Sequence, residues 1–150
     1  MLYFAYASFL SLEVLRRHCP SARFVSRAYL PNFKVDFTYL SKTYNCGVAS
    51  IEPSPGEMAR GVIYEVPEEE MKRLDVVEAV PQGYYIRETY ILVDDEGKFI
   101  RAEAYRATNP SGPYKPNRRY VGLMLQGARE HKLDPEYVDN LQALYDQLES

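Results

Sequence analysis

Glu78 is the residue of this chain whose setting best suits proton chemistry. It follows Leu74, Val76 and Val77 and precedes Ala79, Val80 and Pro81. A carboxyl buried in such apolar company has a raised pKa and can exchange a proton near neutral pH. The same sequence also fits a glutamate that points outward from a helix end, or one paired with an arginine. A second candidate is the stretch Tyr6-Ala7-Ser8-Phe9-Leu10, where an apolar run gives way to a helical pattern. A chain that leaves a strand for a helix presents free backbone N–H groups, and these bind anions such as a carboxylate. A third is tyrosine itself: fourteen residues, with no tryptophan. The cluster Gly83-Tyr84-Tyr85 and the distant Tyr120 offer hydroxyls to a polar substrate, or simply pack.

Other chemistries find little support. His18 and His131 are the only histidines, and neither stands in a nucleophile–base motif. Cys19 and Cys46 form no CxxC pair, neither histidine stands at metal-ligand spacing from them, and the four residues do not make a four-ligand motif, so neither a metal nor a metal cofactor is expected. Neither GxGxxG nor a Walker-type loop occurs, which disfavours nucleotide chemistry. The formal net charge is −3, and Arg16-Arg17 and Arg118-Arg119 are isolated pairs, so no nucleic acid partner is expected. Residues 1–10 are apolar but lack a basic start and are too short to span a bilayer. They read as a buried strand, which with the low cysteine count points to a cytoplasmic protein and no membrane partner. The length of 150 residues suits one domain, 1–150, with its own core.

The elements that must position these residues follow from pattern. Residues 2–6 read as a strand buried on both faces. A short helix carries Leu12, Leu15 and Arg16, with Ser8 or Ser11 as its cap and Pro20 as its stop. Residues 23–30 and 33–40 read as two strands split by a turn at Pro31-Asn32, and residues 41–45 as a loop. Residues 46–51 and 61–66 read as two further strands, separated by the turn Pro53-Ser54-Pro55-Gly56. Pro67-Glu68-Glu69-Glu70 opens a helix that carries Met71, Leu74 and Val77 or Glu78 on one face and breaks near Val80-Pro81. Residues 84–93 and 99–105 form a hairpin about Asp94-Asp95-Glu96-Gly97. Pro116-Asn117 and Asp134-Pro135 cap two terminal helices, the last with Tyr137, Leu141 and Leu144 on its inner stripe. Strict βαβ alternation is absent. The class is therefore α+β, a curved mixed β-sheet or small β-barrel flanked by helices.

Taken in order, these segments resemble the gamma-glutamylcyclotransferase family, and its animal-type branch more than the short bacterial homologues. Tyr3-Phe4-Ala5-Tyr6-Ala7-Ser8-Phe9-Leu10 stands where the family's first strand ends in a Tyr-Gly-Ser-Asn-Leu loop. Pro20-Ser21-Ala22, Phe33-Lys34-Val35-Asp36-Phe37, Gly47-Val48-Ala49-Ser50-Ile51, Ser54-Pro55-Gly56 and Gly61-Val62-Ile63-Tyr64 continue the likeness. Leu74-Asp75-Val76-Val77-Glu78-Ala79 with Tyr85 fits the family's Leu-Asp-x-x-Glu-Gly segment and the tyrosine seven residues beyond its glutamate. Tyr120 and Gly127-Ala128-Arg129-Glu130 match its C-terminal segment. The resemblance implies an enzyme that releases 5-oxoproline from a gamma-glutamyl amino acid or gamma-glutamylamine, without a cofactor. Glu78 would be the acid/base, with Tyr6, Ala7, Ser8, Phe9 and Leu10 as the anion-holding loop and Tyr85 and Tyr120 lining the pocket. Ala7 and Ala79 replace family glycines, and Phe9 replaces an asparagine. Two alternatives stand beside this reading. One is a non-catalytic small-molecule binder. The other is a cyclotransferase that deprotects a gamma-glutamylated biosynthetic intermediate, which the bulk of Phe9 would suit. The partner implied is a small gamma-glutamyl compound. Oligomeric state stays open, a homodimer being one option.

Overall fold

The computed structural model describes residues 1–149. Five strands close into a barrel in the order β1-β3-β2-β4-β5, with helices packed outside it. They are β1 (Leu2–Ala5), β2 (Arg23–Ser41), β3 (Cys46–Glu65), β4 (Tyr85–Asp94) and β5 (Phe99–Ala107). The helices are α1 (Leu12–Arg16), α2 (Glu68–Val77), α3 (Arg118–Glu130) and α4 (Pro135–Gln147), and a 3-10 turn, Ser8–Leu10, follows β1. Neighbouring strands pair antiparallel except at the closing seam, where β1 meets β5 in parallel at Tyr3 and Glu103. No helix among the described residues is long and apolar enough to cross a membrane.

β1 is short and almost wholly buried because it lies between two strands of opposite sense. Gly61 of β3 lets it come that close. A Cβ at Gly61 would stand 2.2 Å from the Ala5 carbonyl oxygen, so no larger residue fits without moving the backbone.

The expected turns at Pro31-Asn32 and at residues 53–56 do not divide strands: β2 and β3 run unbroken through both. The two signals face each other across the ladder. Pro31 pairs with Met58, yet Phe33 pairs with Pro53, so residues 54–57 bulge out opposite Asn32 alone. Asn32 takes a left-handed φ of 63°, and its Oδ1 accepts the Gly56 N–H at 3.0 Å. Proline and glycine here break the hydrogen-bond register locally while pairing resumes on either side, as a bulge does.

The helix caps follow the sequence. Ser11, rather than Ser8, accepts the Val14 N–H at the start of α1, and Asn117 and Asp134 accept the Tyr120 and Tyr137 N–H groups. Helix α3 packs on the 3-10 turn through Gly127, where a Cβ would lie 2.5 Å from the Leu10 carbonyl carbon and the Ser11 nitrogen.

Candidate active site

The end of α2 fixes Glu78. Helix α2 stops at Val77, so Glu78 is its C-cap residue and not its last turn. Ala79 follows at φ 55°, and the closure is a Schellman motif: Ala79 N–H donates to the Val76 carbonyl at 3.0 Å and Val80 N–H to the Asp75 carbonyl at 2.9 Å. Glycine suits that left-handed position, and alanine there costs about 1 kcal/mol more. The last turn of α2 is also tied to the barrel. Arg87 Nε of β4 meets Asp75 Oδ1 at 2.9 Å, and the Tyr105 hydroxyl of β5 donates to the same oxygen at 2.6 Å. Arg87 reaches Glu103 as well, at 3.2 Å. Position 78 is therefore held from the helix and from two strands.

The Glu78 carboxylate lines a cavity of about 450 Å³. It makes no hydrogen bond or ion pair to any side chain among the described residues. Burial alone raises its pKa to about 7. Tyr3, Tyr6, Tyr85, Tyr105 and Tyr120 also line this cavity and are buried. Burial first, and then neighbouring charge that includes that of Glu78, raises all five hydroxyls well above 10, so they stay protonated.

The turn after β1 shares this cavity with Glu78. Ala7, Ser8 and Phe9 line the cavity. The N–H groups of these three residues have no partner among the described residues, because the 3-10 turn closes through the Leu10 N–H on the Ala7 carbonyl. Ala7 has φ −128°, on the side any L residue adopts, so its methyl group meets no left-handed requirement. The Phe9 ring packs edge-on against His18, with centroids 5.8 Å apart. Leu10 does not reach the cavity. Its side chain is fully buried and its carbonyl accepts the Tyr64 hydroxyl at 2.7 Å.

Two of the tyrosines expected from sequence hold the backbone of one residue, Ala49, at both its carbonyl and its N–H. The Tyr85 hydroxyl donates to the Ala49 carbonyl at 2.9 Å, and the Tyr120 oxygen accepts the Ala49 N–H at 3.0 Å. Tyr120 so keeps its own proton to donate elsewhere, and Tyr85 keeps lone pairs. Tyr6 donates to the Tyr105 carbonyl at 2.6 Å. Tyr3, Tyr39 and Tyr105 line the same cavity although no local pattern singled them out of the fourteen tyrosines. Tyr3 and Tyr105 are neighbours, with ring centroids 5.8 Å apart, only because β5 closes on β1. A cavity lined both by an unpaired carboxyl of near-neutral pKa and by a turn with free N–H groups has the parts to hold a zwitterion by its carboxylate and move a proton at its amine.

Comparison with known proteins agrees in extent. The model of the AIG2-like family matches residues 59–141. The human gamma-glutamylcyclotransferase is 36% identical over 148 residues, spanning 95% of this chain and 78% of the human protein. The bovine gamma-glutamylcyclotransferase is 35% identical over 147 residues, with the same shares. A solved structure of a gamma-glutamyl cyclotransferase superposes with a TM-score of 0.91 at 34% identity, covering 95% of this chain and 86% of that one.

Proposed function

Because the chain belongs to the gamma-glutamylcyclotransferase family, and is an enzyme of that family, we propose that its cavity cyclises a gamma-glutamyl compound with Glu78 as proton shuttle. The observation that carries this reading is the unpaired Glu78 carboxylate of pKa about 7, in one cavity with the free N–H groups of residues 7–9.

In this reading the substrate's alpha-carboxylate rests on those N–H groups and its alpha-ammonium faces Glu78. The ionised carboxylate takes a proton from the ammonium. The freed amine then attacks the gamma-carbonyl carbon, and a C–N bond forms as the five-membered lactam closes. The bond from that carbon to the leaving nitrogen breaks as Glu78 gives that nitrogen the first proton. The carboxylate then takes the second proton from the attacking nitrogen and passes it on, so the lactam keeps one N–H and the amine leaves as an ammonium. One gamma-glutamyl compound thus gives 5-oxoproline and a free amine, with no water consumed. Because the attack is intramolecular, holding the chain in a cyclic pose supplies much of the acceleration. A carboxyl of pKa near the working pH serves as base and then as acid without a large penalty in either role. The protonated Tyr120 hydroxyl is available to the developing oxyanion, a use of the kind that preorganised donors serve. The same chemistry would deprotect a gamma-glutamylated intermediate; only the leaving amine differs.

The test is release of 5-oxoproline, measured by mass, from gamma-glutamyl dipeptides, gamma-glutamylamines and glutathione. Native protein should yield it from at least one, and Glu78→Gln should lower the rate on the order of 100-fold or more while leaving the fold intact. Full turnover in that variant would refute the shuttle.

A further inference from the structure

The reaction fixes the glutamyl end of the substrate and leaves the other end to the outer half of the cavity. That half has a definite chemistry. Tyr84 is half exposed at the rim, and its ring lies 6.0 Å from that of Tyr39, which in turn meets the buried Tyr85 at 5.3 Å, edge to face. A second row runs from the partly buried Tyr44 to the buried Tyr120, with centroids 5.1 Å apart. Both rows line the cavity from mouth to floor. Phe9 adds a third aromatic surface. Among the described residues that line the cavity, Lys42 is the one lysine or arginine. It is exposed at the mouth and pairs with no carboxylate there or elsewhere in the described structure.

We propose that this outer half is a subsite for an aromatic amino acid as leaving group, so that the preferred substrates are gamma-glutamyl dipeptides of phenylalanine or tyrosine. The proposal rests on the cyclotransferase reading of the same site. Aromatic side chains favour edge-to-face and offset partners, and Tyr39, Tyr44 and Tyr84 are the less buried of the tyrosines that line the cavity, beyond the buried set that surrounds Glu78. The glutamyl unit brings its own carboxylate to the 7–9 turn, so Lys42 is left for the carboxylate of the second residue. A simple amine would leave Lys42 unmatched, and a small polar residue would leave the tyrosine rows against water. An exposed ion pair is weak and screened by salt, so Lys42 tunes the preference and the rings set it.

The experiment compares kcat/KM for gamma-glutamyl-phenylalanine, gamma-glutamyl-alanine, gamma-glutamyl-phenethylamide and glutathione, in native protein and in Tyr84→Ala and Lys42→Met. Both substituted side chains are solvent-exposed, so the variants should fold. The phenylalanine compound is expected to exceed the alanine compound by about ten- to a hundredfold. It should exceed the phenethylamide, which lacks the second carboxylate, by about threefold at low salt. Tyr84→Ala should shrink the first ratio about tenfold, and Lys42→Met should bring the second to about one. Glutathione or the alanine compound turned over as fast as the phenylalanine compound, or a first ratio unmoved by Tyr84→Ala, would overturn the subsite while 5-oxoproline release left the cyclotransferase reading standing. No 5-oxoproline from any of the four would overturn both.

Discussion

Glu78 is a carboxyl kept near neutral pKa by burial and by the lack of any cation beside it. That has a consequence for stability as well as for catalysis. Its folded pKa of about 7 lies above that of an exposed glutamate, so the folded protein binds the extra proton between about pH 4.5 and 7. Stability therefore falls as pH rises through that window, because the buried carboxyl must then be held charged. Glu78→Gln removes the charge and keeps the shape. It should match native protein in urea unfolding below about pH 4.5 and be the more stable by up to about 3 kcal/mol at pH 8. Equal stability at pH 8 would mean that the carboxyl is well solvated. The residue's apolar neighbours raised burial in the sequence as one reading among others, but Val76 and Val77 are themselves exposed, and the tyrosines that share the cavity with Glu78 come from other elements. Its helical position was not legible: the Schellman closure places it one step beyond the helix, and Ala79 at a left-handed φ disguises a signal that glycine would have given.

At the scale of elements, two close approaches shape the site. Gly61 admits β1 to the barrel, and Gly127 admits the 3-10 turn to α3. Gly127→Ala would place a methyl group 2.4 Å from the Leu10 Cβ and 2.5 Å from both the Leu10 carbonyl carbon and the Ser11 nitrogen. Backbone must shift to relieve it, so unfolding free energy should fall by about 1–3 kcal/mol. The shift falls on the turn that carries the free N–H groups, so KM for a gamma-glutamyl substrate should rise as well. Unchanged stability and KM would show that the turn is not braced by α3. The strand–turn–helix start of the chain was readable because its apolar run, its serine cap and Pro20 agree. The long strands were not, since Pro31-Asn32 and residues 53–56 carry ordinary turn signals. Only pairing across the sheet reveals that the two irregularities face one another and make a bulge.

At the scale of the molecule, barrel closure assembles the cavity. Glu78 comes from the end of α2, the N–H row from the turn after β1, Tyr85 from β4, Tyr105 from β5 and Tyr120 from α3. Motifs matched in order along the chain could indicate Glu78, Tyr85 and Tyr120, which lie in recognisable local segments. Tyr3 and Tyr105 depend on the parallel seam between the first and last strands, a contact that no local pattern encodes. The same closure leaves Leu10 facing the core, although it is continuous in sequence with residues that face the cavity.

The most direct test of the account is the pH profile of kcat/KM for 5-oxoproline release, which reports the free enzyme's essential groups. The account predicts an acid limb with its midpoint at about 7, where Glu78 ionises, and loss of turnover across the range in Glu78→Gln. In kcat the limb should lie at lower pH, because the bound ammonium stabilises the charged carboxylate. A kcat/KM profile flat through pH 7, with its limb near the ordinary carboxylate value, or one unchanged by Glu78→Gln, would contradict it.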